Sequence, residues 1–322
     1  MGFSSKASNR GEEIQHRSIP SPKPVSSLTI DPGGRLCYVY HEFSFPGFYL
    51  HMVPMISLRL DYKKVHRDLV RFIRGEVHKA GFERAVLGLS GGVDSSLSAF
   101  LTAGALGNGN VFGINMPYRE SSTLGVQHAQ QVAKQLNIQF LSIEITPMID
   151  MYVQSFPDAD PVRKGNKMAR ERMSILYDQS ARFSALVVGS SNKTEILLGY
   201  GTIYGDMACA INPLGDLYKT QVWDLAREVG VPEEIIEKAP TADLWRGQTD
   251  EAELGLSYHE VDRLLNLMID NGLGLEDLVS EGFTEDFIRK VAIRIRSSEF
   301  KRRMPVVGKI PQQGKGGSFR GR

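Results

Sequence analysis

One stretch constrains this chain more than any other: Ala85-Val86-Leu87-Gly88-Leu89-Ser90-Gly91-Gly92-Val93-Asp94-Ser95-Ser96. It is an apolar run, a Ser/Gly hinge, then an acid and two hydroxyls. Val86, Leu87 and Leu89 suit a strand buried on both faces, and Leu97, Phe100 and Leu101 recur at helical spacing directly afterwards. The pattern predicts strand, tight turn, helix. Gly91 and Gly92 allow a sharp bend and close approach to a ligand, and the free N–H groups of a new helix favour an anion. Ser90, Ser95 and Ser96 add hydroxyl donors.

The Gly-Lys-Ser/Thr ending of a Walker loop is missing, and Asp94 stands where its lysine would be. A carboxylate beside phosphate repels it unless a cation sits between them, so Asp94 implies magnesium bridging protein and phosphate. A strand-to-helix turn with no ligand is the plain alternative. The run resembles the pyrophosphate loop of the ATP-pyrophosphatase superfamily, whose members cleave ATP to AMP and pyrophosphate to activate a carboxylate or carbonyl.

The surrounding sequence predicts an α/β fold, a doubly wound parallel sheet flanked by helices, with a more helical carboxyl-terminal part. Further strands are expected at Val111–Asn115, Phe140–Ile145 and Ser184–Val188, and helices from Asp61 to a stop at Gly81 and over Thr123–Leu136. Lys219–Val229, Tyr258–Ile269 and Glu285–Ile295 carry amphipathic helical patterns. Residues 1–54 are rich in Ser, Pro and Gly and read as a leader, either disordered or loosely attached, or an upstream extension of a protein starting at Met52 or Met55. Residues 55–303 form the expected catalytic domain, and 304–322 a flexible basic tail. With 38 basic and 37 acidic side chains the net charge is +1, which predicts no wholesale attraction to nucleic acid or membrane. Cys37 and Cys209 lie far apart without a Cys-x-x-Cys pair, arguing against zinc and for a reducing cytoplasm. Phe48–Leu60 is too short and interrupted to span a bilayer.

Four more segments narrow the chemistry. In Gly165–Met173, expected at the start of a helix, Arg170 and Arg172 cannot share a face, so one can reach an anion while the other serves a surface or interface. In Gly189–Glu195, Glu195 is either a second carboxylate for the magnesium at Asp94 or an ordinary helix-capping acid. Tyr200–Ala208 and Asn212–Thr220 form a glycine-marked loop that leads to Lys219, a mobile charge suited to phosphoryl groups. Pro240–Trp245 and Gly247–Gly255 make a polar, acidic connection, either a lid that excludes water or a solvated linker.

In this order the segments resemble NAD synthetase, from about Leu60 to Pro305. The resemblance implies amidation of nicotinic acid adenine dinucleotide through an acyl-adenylate, with ATP and magnesium, by a homodimer whose dinucleotide site lies at or near the interface. It implies Ser90, Gly91, Gly92, Ser95 and Ser96 on the ATP phosphates, and Ser190, Lys219 and Thr241 on ATP. Asp94 and Glu195 would hold magnesium, Asp94 and Lys219 would be the catalytic groups, and Asn166, Arg170 and Lys301 would contact the dinucleotide. Two positions depart from the pattern: Ile203 replaces a lysine that many ammonia-using members carry, and Phe300 replaces the histidine before Lys301. Ammonia is the expected nitrogen donor, free or delivered by a separate amidase, because a leader of about fifty residues is short for an amidase domain. Cys37 is accordingly expected to be inert. The rival reading is another ATP-pyrophosphatase, a nucleotide amidotransferase or a tRNA-thiolating enzyme. Thiolation commonly relies on cysteines that this chain does not supply.

Overall fold

The structure is a computed structural model that describes residues 58–241, 250 and 255–308, together with the backbone of a separate hairpin, β1 (Ser26–Ile30) and β2 (Leu36–Tyr40). The hairpin is antiparallel, with Leu28 opposite Tyr38. It falls within the Ser/Pro-rich leader, where composition suggests no regular element. The remainder of that leader and the tail beyond Gly308 lie outside the described residues.

The main body starts with α1 (Tyr62–Lys79), capped where the Asp61 carboxylate accepts the Lys64 N–H at 3.0 Å. It buries Ile73 and Val77 and runs out just before Gly81, whose φ of +84° suits a residue without a Cβ. The sheet follows, built from β3 (Arg84–Gly88), β4 (Val111–Asn115), β5 (Gln139–Ser142) and β6 (Ala185–Val188). Every pairing is parallel and the spatial order is β5-β4-β3-β6, with Val86 registered on Phe112 and on Val187. The chain leaves β3 towards one edge and returns on its other side as β6. The loops after β3 and β6 therefore diverge at a topological switch point, where open parallel sheets bind ligands.

Helices α2 (Val93–Leu106), α3 (Thr123–Leu136), α4 (Thr146–Gln154) and α5 (Pro161–Phe183) cover the sheet, joined by α6 (Lys193–Leu198), α7 (Lys219–Val229) and the short α8 (Glu233–Ile236). Side chains of β3 alternate between two cores. Ala85, Leu87 and Leu89 join residues of α1, α2, α3 and α7, whereas Val86 packs with Ile114, Val187, Ile149 and Met168 on the α4–α5 side. A third core gathers α9 (Tyr258–Leu265), α10 (Leu275–Ser280) and α11 (Glu285–Ser297) around Val261, Leu264, Leu265 and Val291, each fully buried. Burial of each such side chain contributes roughly 1.5–3 kcal/mol.

Several boundaries differ from the sequence pattern, three of them by more than two residues. Strand β5 stops at Ser142, because Ile143 and Ile145 each donate a single bond, to the Asn115 and Pro117 carbonyls, before α4 begins. Helix α5 begins at Pro161 under an Asp160 cap, so Gly165–Met173 occupies its second and third turns rather than its start. Helix α9 ends at Leu265, and Asn266–Asp270 continues as one wider π-type turn. Among the described residues no helix is long and apolar enough to cross a membrane.

Candidate active site

The cleft lies at the carboxyl ends of the strands and has a volume of about 540 Å³. Its floor is the turn between β3 and α2. Gly91 adopts φ +80°, and a Cβ there would stand 2.1 Å from the Gly125 carbonyl oxygen and 2.9 Å from the Ala129 nitrogen, so α3 can approach only because this residue is glycine. Ser90 and Ser95 join hydroxyls at 3.0 Å, and the Ser95 hydroxyl donates to the Gly92 carbonyl at 3.1 Å. Gly92 is the N-cap of α2 and carries no side chain to cap it. The first-turn N–H groups are thus left for an external anion.

Facing this turn is a buried charge cluster. Lys219, the first residue of α7 and only 2 % exposed, bonds through Nζ to Asp94 Oδ2 and lies 3.9 Å from Glu195 Oε1. Asn192, capping α6, ties the loops together: its amide donates to Asp94 Oδ1 at 3.0 Å, and its backbone N–H donates to Glu195 at 3.1 Å. Glu195 closes that capping box and also lines the cleft. Burial, then the Asp94 charge, pushes its carboxyl well above the usual range against the pull of Lys219. Burial alone would lower the Lys219 pKa, but the charges of Asp94 and Glu195 outweigh it and favour the ammonium. Asp250 adds a third carboxyl, held by the Tyr200 and Tyr258 hydroxyls at 3.0 and 3.1 Å. A further cation beside these acids would favour the ionised form of Glu195, which burial and Asp94 disfavour. Among the described residues no three His, Cys, Asp or Glu side chains converge to hold a metal by themselves. Asp94 and Glu195 both line the cleft and offer the carboxylate oxygens that a hard divalent cation takes as ligands.

Most of the expected site residues converge on the cleft. Ser90, Gly92, Asp94, Ser95, Asn166, Ser190, Glu195, Lys219, Thr241 and Lys301 all line it. Gly91 shapes the turn from behind. Ser96 does not face the cleft, because it lies at the fourth position of α2, fully buried, with its hydroxyl turned into the core. Arg170 is also absent from the lining: its Nε donates to the Ile203 carbonyl at 3.3 Å on the exposed side of α5. Arg172, on a different face, does line the cleft and donates to the Met116 carbonyl at 3.0 Å. Lys301 Nζ donates to the Gly199 and Gly201 carbonyls, both at 2.8 Å, which fixes the start of the glycine loop. Phe300 is 61 % exposed, and the Asn166 amide oxygen accepts the Thr202 hydroxyl at 2.7 Å. Of the expected lid, Thr241 and Asp250 border the cleft, whereas residues 242–249 and 251–254 lie outside the described residues. The cleft residues Arg172, Asp250 and Tyr200 received no assigned role from the sequence. Only the spacing of Arg170 and Arg172 hinted that one arginine would turn inward.

The family model described as NAD synthase matches residues 65–305. The chain belongs to the NAD synthase family. It is 54% identical over 256 residues to the NH3-dependent NAD(+) synthetase of Trichlorobacter lovleyi, an alignment covering 80% of this chain and 94% of that protein. Among solved structures, the NH3-dependent NAD synthetase of Campylobacter jejuni superposes with a TM-score of 0.67 at 34% identity, covering 78% of this chain and 100% of that one. The NMN synthetase of Francisella tularensis superposes with a TM-score of 0.70 at 30% identity and the same coverage. The uncapped turn at the sheet's switch point and the acid-lysine cluster line one cleft.

Proposed function

We propose that the protein is a carbon–nitrogen ligase that amidates nicotinic acid adenine dinucleotide to NAD, using ATP and ammonia and releasing AMP and pyrophosphate. The observation that carries this reading is the Ser90–Ser96 turn, open at its helix N-terminus and facing a buried Lys219. A carboxylate does not react with ammonia until one oxygen becomes part of a better leaving group. In the proposed first step a carboxylate oxygen of the substrate attacks the α-phosphorus, and the bond to the β-phosphate oxygen breaks. Pyrophosphate is received by the N–H groups of the turn and the hydroxyls of Ser90 and Ser95, while Lys219 balances the growing charge. The ammonia lone pair then attacks the acyl carbon, AMP departs with the activated oxygen, and the nitrogen loses a proton. Magnesium, held by Asp94 and Glu195, would supply further charge neutralisation at the phosphates. No protein nucleophile takes part.

Ser190 and Thr241, both in the cleft lining, are assigned to ATP, and Asn166 and Lys301 to the dinucleotide. The exposed position of Arg170 fits a dinucleotide contact at the outer end of the site. A homodimer is supported by the exposed apolar side chains Met148, Met151, Tyr152, Phe156 and Val162 on α4, the loop after it and the start of α5. A second copy docked there would lie beside Asn166 and Arg170 on the same helix. Met151→Glu should then yield monomers in sedimentation equilibrium; an unchanged dimer would move the interface elsewhere. The cytoplasm is the proposed location.

One incubation tests the reading: protein, ATP, magnesium, ammonia and nicotinic acid adenine dinucleotide should give NAD and AMP in equal amounts. ADP as the product would refute cleavage at the α-phosphorus. Replacing that dinucleotide by nicotinic acid mononucleotide tests the alternative acceptor, and glutamine-driven turnover without ammonia would overturn the proposed nitrogen source.

A further inference from the structure

Among the buried groups that the proposed chemistry does not use, one carboxylate stands out. Asp262 is fully buried on α9, amid the apolar positions Val261, Leu264 and Leu265. An acid in such a place is costly unless its oxygens are well bonded. Its Oδ1 accepts the Thr194 hydroxyl at 2.6 Å, and its Oδ2 accepts both the backbone N–H and the hydroxyl of Thr220 at 2.8 Å. The Thr194 oxygen in turn accepts the Lys219 backbone N–H at 3.0 Å. The N-cap residue of α7, Tyr218, makes no side-chain cap bond. Asp262 therefore caps α7 from another helix, directly at Thr220 and, through the Thr194 hydroxyl, at Lys219.

The same face of α9 also reaches the other end of that lysine. Tyr258, one turn before Asp262, places its ring 5.5 Å from Lys219 Nζ and donates its hydroxyl to Asp250. Thr194 stands next to Glu195 on α6, so the network touches the backbone beneath both the ammonium and one of the acids.

We infer that Asp262 is a positioning residue for Lys219, through which the carboxyl-terminal helices hold the phosphate-facing ammonium in register with the Ser90–Ser96 turn. This rests on the reading of Lys219 as the group that balances charge on the departing pyrophosphate. A displacement of about 1 Å at such a group costs on the order of 100-fold in rate. Because the interaction matters most as charge develops, the loss falls on kcat rather than on the KM for ATP.

The test compares Asp262→Asn with wild type in AMP release. The expected result is a drop in kcat of at least about 10-fold, with the KM for ATP within about threefold. In a Lys219→Met background, Asp262→Asn should cause no further loss, as required if it acts through that lysine. A kcat within about twofold of wild type, or losses that multiply in the double variant, overturns the inference. Should Asp262→Asn fail to fold, Thr194→Val, which removes the relay hydroxyl, is expected to reproduce the kcat loss and Thr194→Ser to restore it; wild-type kcat for Thr194→Val overturns it. Acylation of Lys219 by an amine-reactive ester, read by peptide mass spectrometry, is independent of turnover. Faster labelling in Asp262→Asn supports the positioning role even if wild type makes no NAD, an outcome that would sink only the proposed reaction. Labelling as slow as in wild type overturns the positioning role.

Discussion

Replacing Gly91 by alanine separates two costs that usually arrive together. The residue sits at φ +80°, where any L side chain pays about 1–2 kcal/mol. The added methyl would also lie 2.1 Å from the Gly125 carbonyl oxygen, a backbone atom of α3 that no rotamer change can move. Overpacking of that kind adds about 1–3 kcal/mol, for a total of about 2–5 kcal/mol. Gly81 is the natural control, because it has φ +84° and nothing within 4 Å of the new methyl. Gly81→Ala should therefore cost only the first part, about 1–2 kcal/mol. Urea unfolding followed by circular dichroism gives both values, and AMP release measures the second consequence. If the turn yields instead of α3, Gly92 and Asp94 move and turnover falls by about 100-fold. A Gly91→Ala protein as stable as Gly81→Ala, with wild-type AMP release, would refute the claim that α3 is packed directly against the turn.

Three further outcomes follow from the same geometry. Lys219→Met should lower kcat for AMP release by about 100- to 1000-fold, and a loss confined to KM would remove its role at the departing phosphates. Lys301→Met frees the Gly199 and Gly201 carbonyls and should raise the KM for the dinucleotide while leaving that for ATP near wild type; the reverse pattern would place Lys301 at the nucleotide. Burial pushes the Asp270 carboxyl up, but hydrogen bonds from Lys193 and Tyr218 outweigh it and hold it below the usual range. A depressed carboxyl contributes stability above its unfolded pKa of about 3.9 and loses it as the pH falls through the folded value. The gap in unfolding free energy between wild type and Asp270→Asn should be constant near neutrality and close in acid, and a gap independent of pH would contradict this.

The elements that could be read from sequence are those where local pattern and tertiary role agree. Thr123–Leu136 and Lys219–Val229 are helices over the ranges their periodicity marks, and the strand-turn-helix at Arg84–Leu106 follows from its apolar run and glycines. Misplaced boundaries come from interactions that composition does not encode. Strand β5 ends early because its neighbour offers only isolated carbonyls beyond Ser142, and α5 starts early because Asp160 caps it. Within the site, Asp94 and Lys219 stand out by motif, yet their contact links residues 125 positions apart. Asp262 was illegible for the opposite reason, since a lone acid among apolar residues on a helix normally reads as its solvent face. Only the placement of α9 against α6 and α7 turns it inward.

The account stands on transfer of the α-phosphoryl group to a carboxylate beside the Ser90–Ser96 turn. The most direct measurement uses nicotinic acid adenine dinucleotide carrying ¹⁸O in its nicotinate carboxylate, turned over with ATP and ammonia. One labelled oxygen should appear in the phosphate of AMP, carried there when ammonia displaces the adenylate. Label recovered in inorganic phosphate or ADP, with none in AMP, would contradict the account.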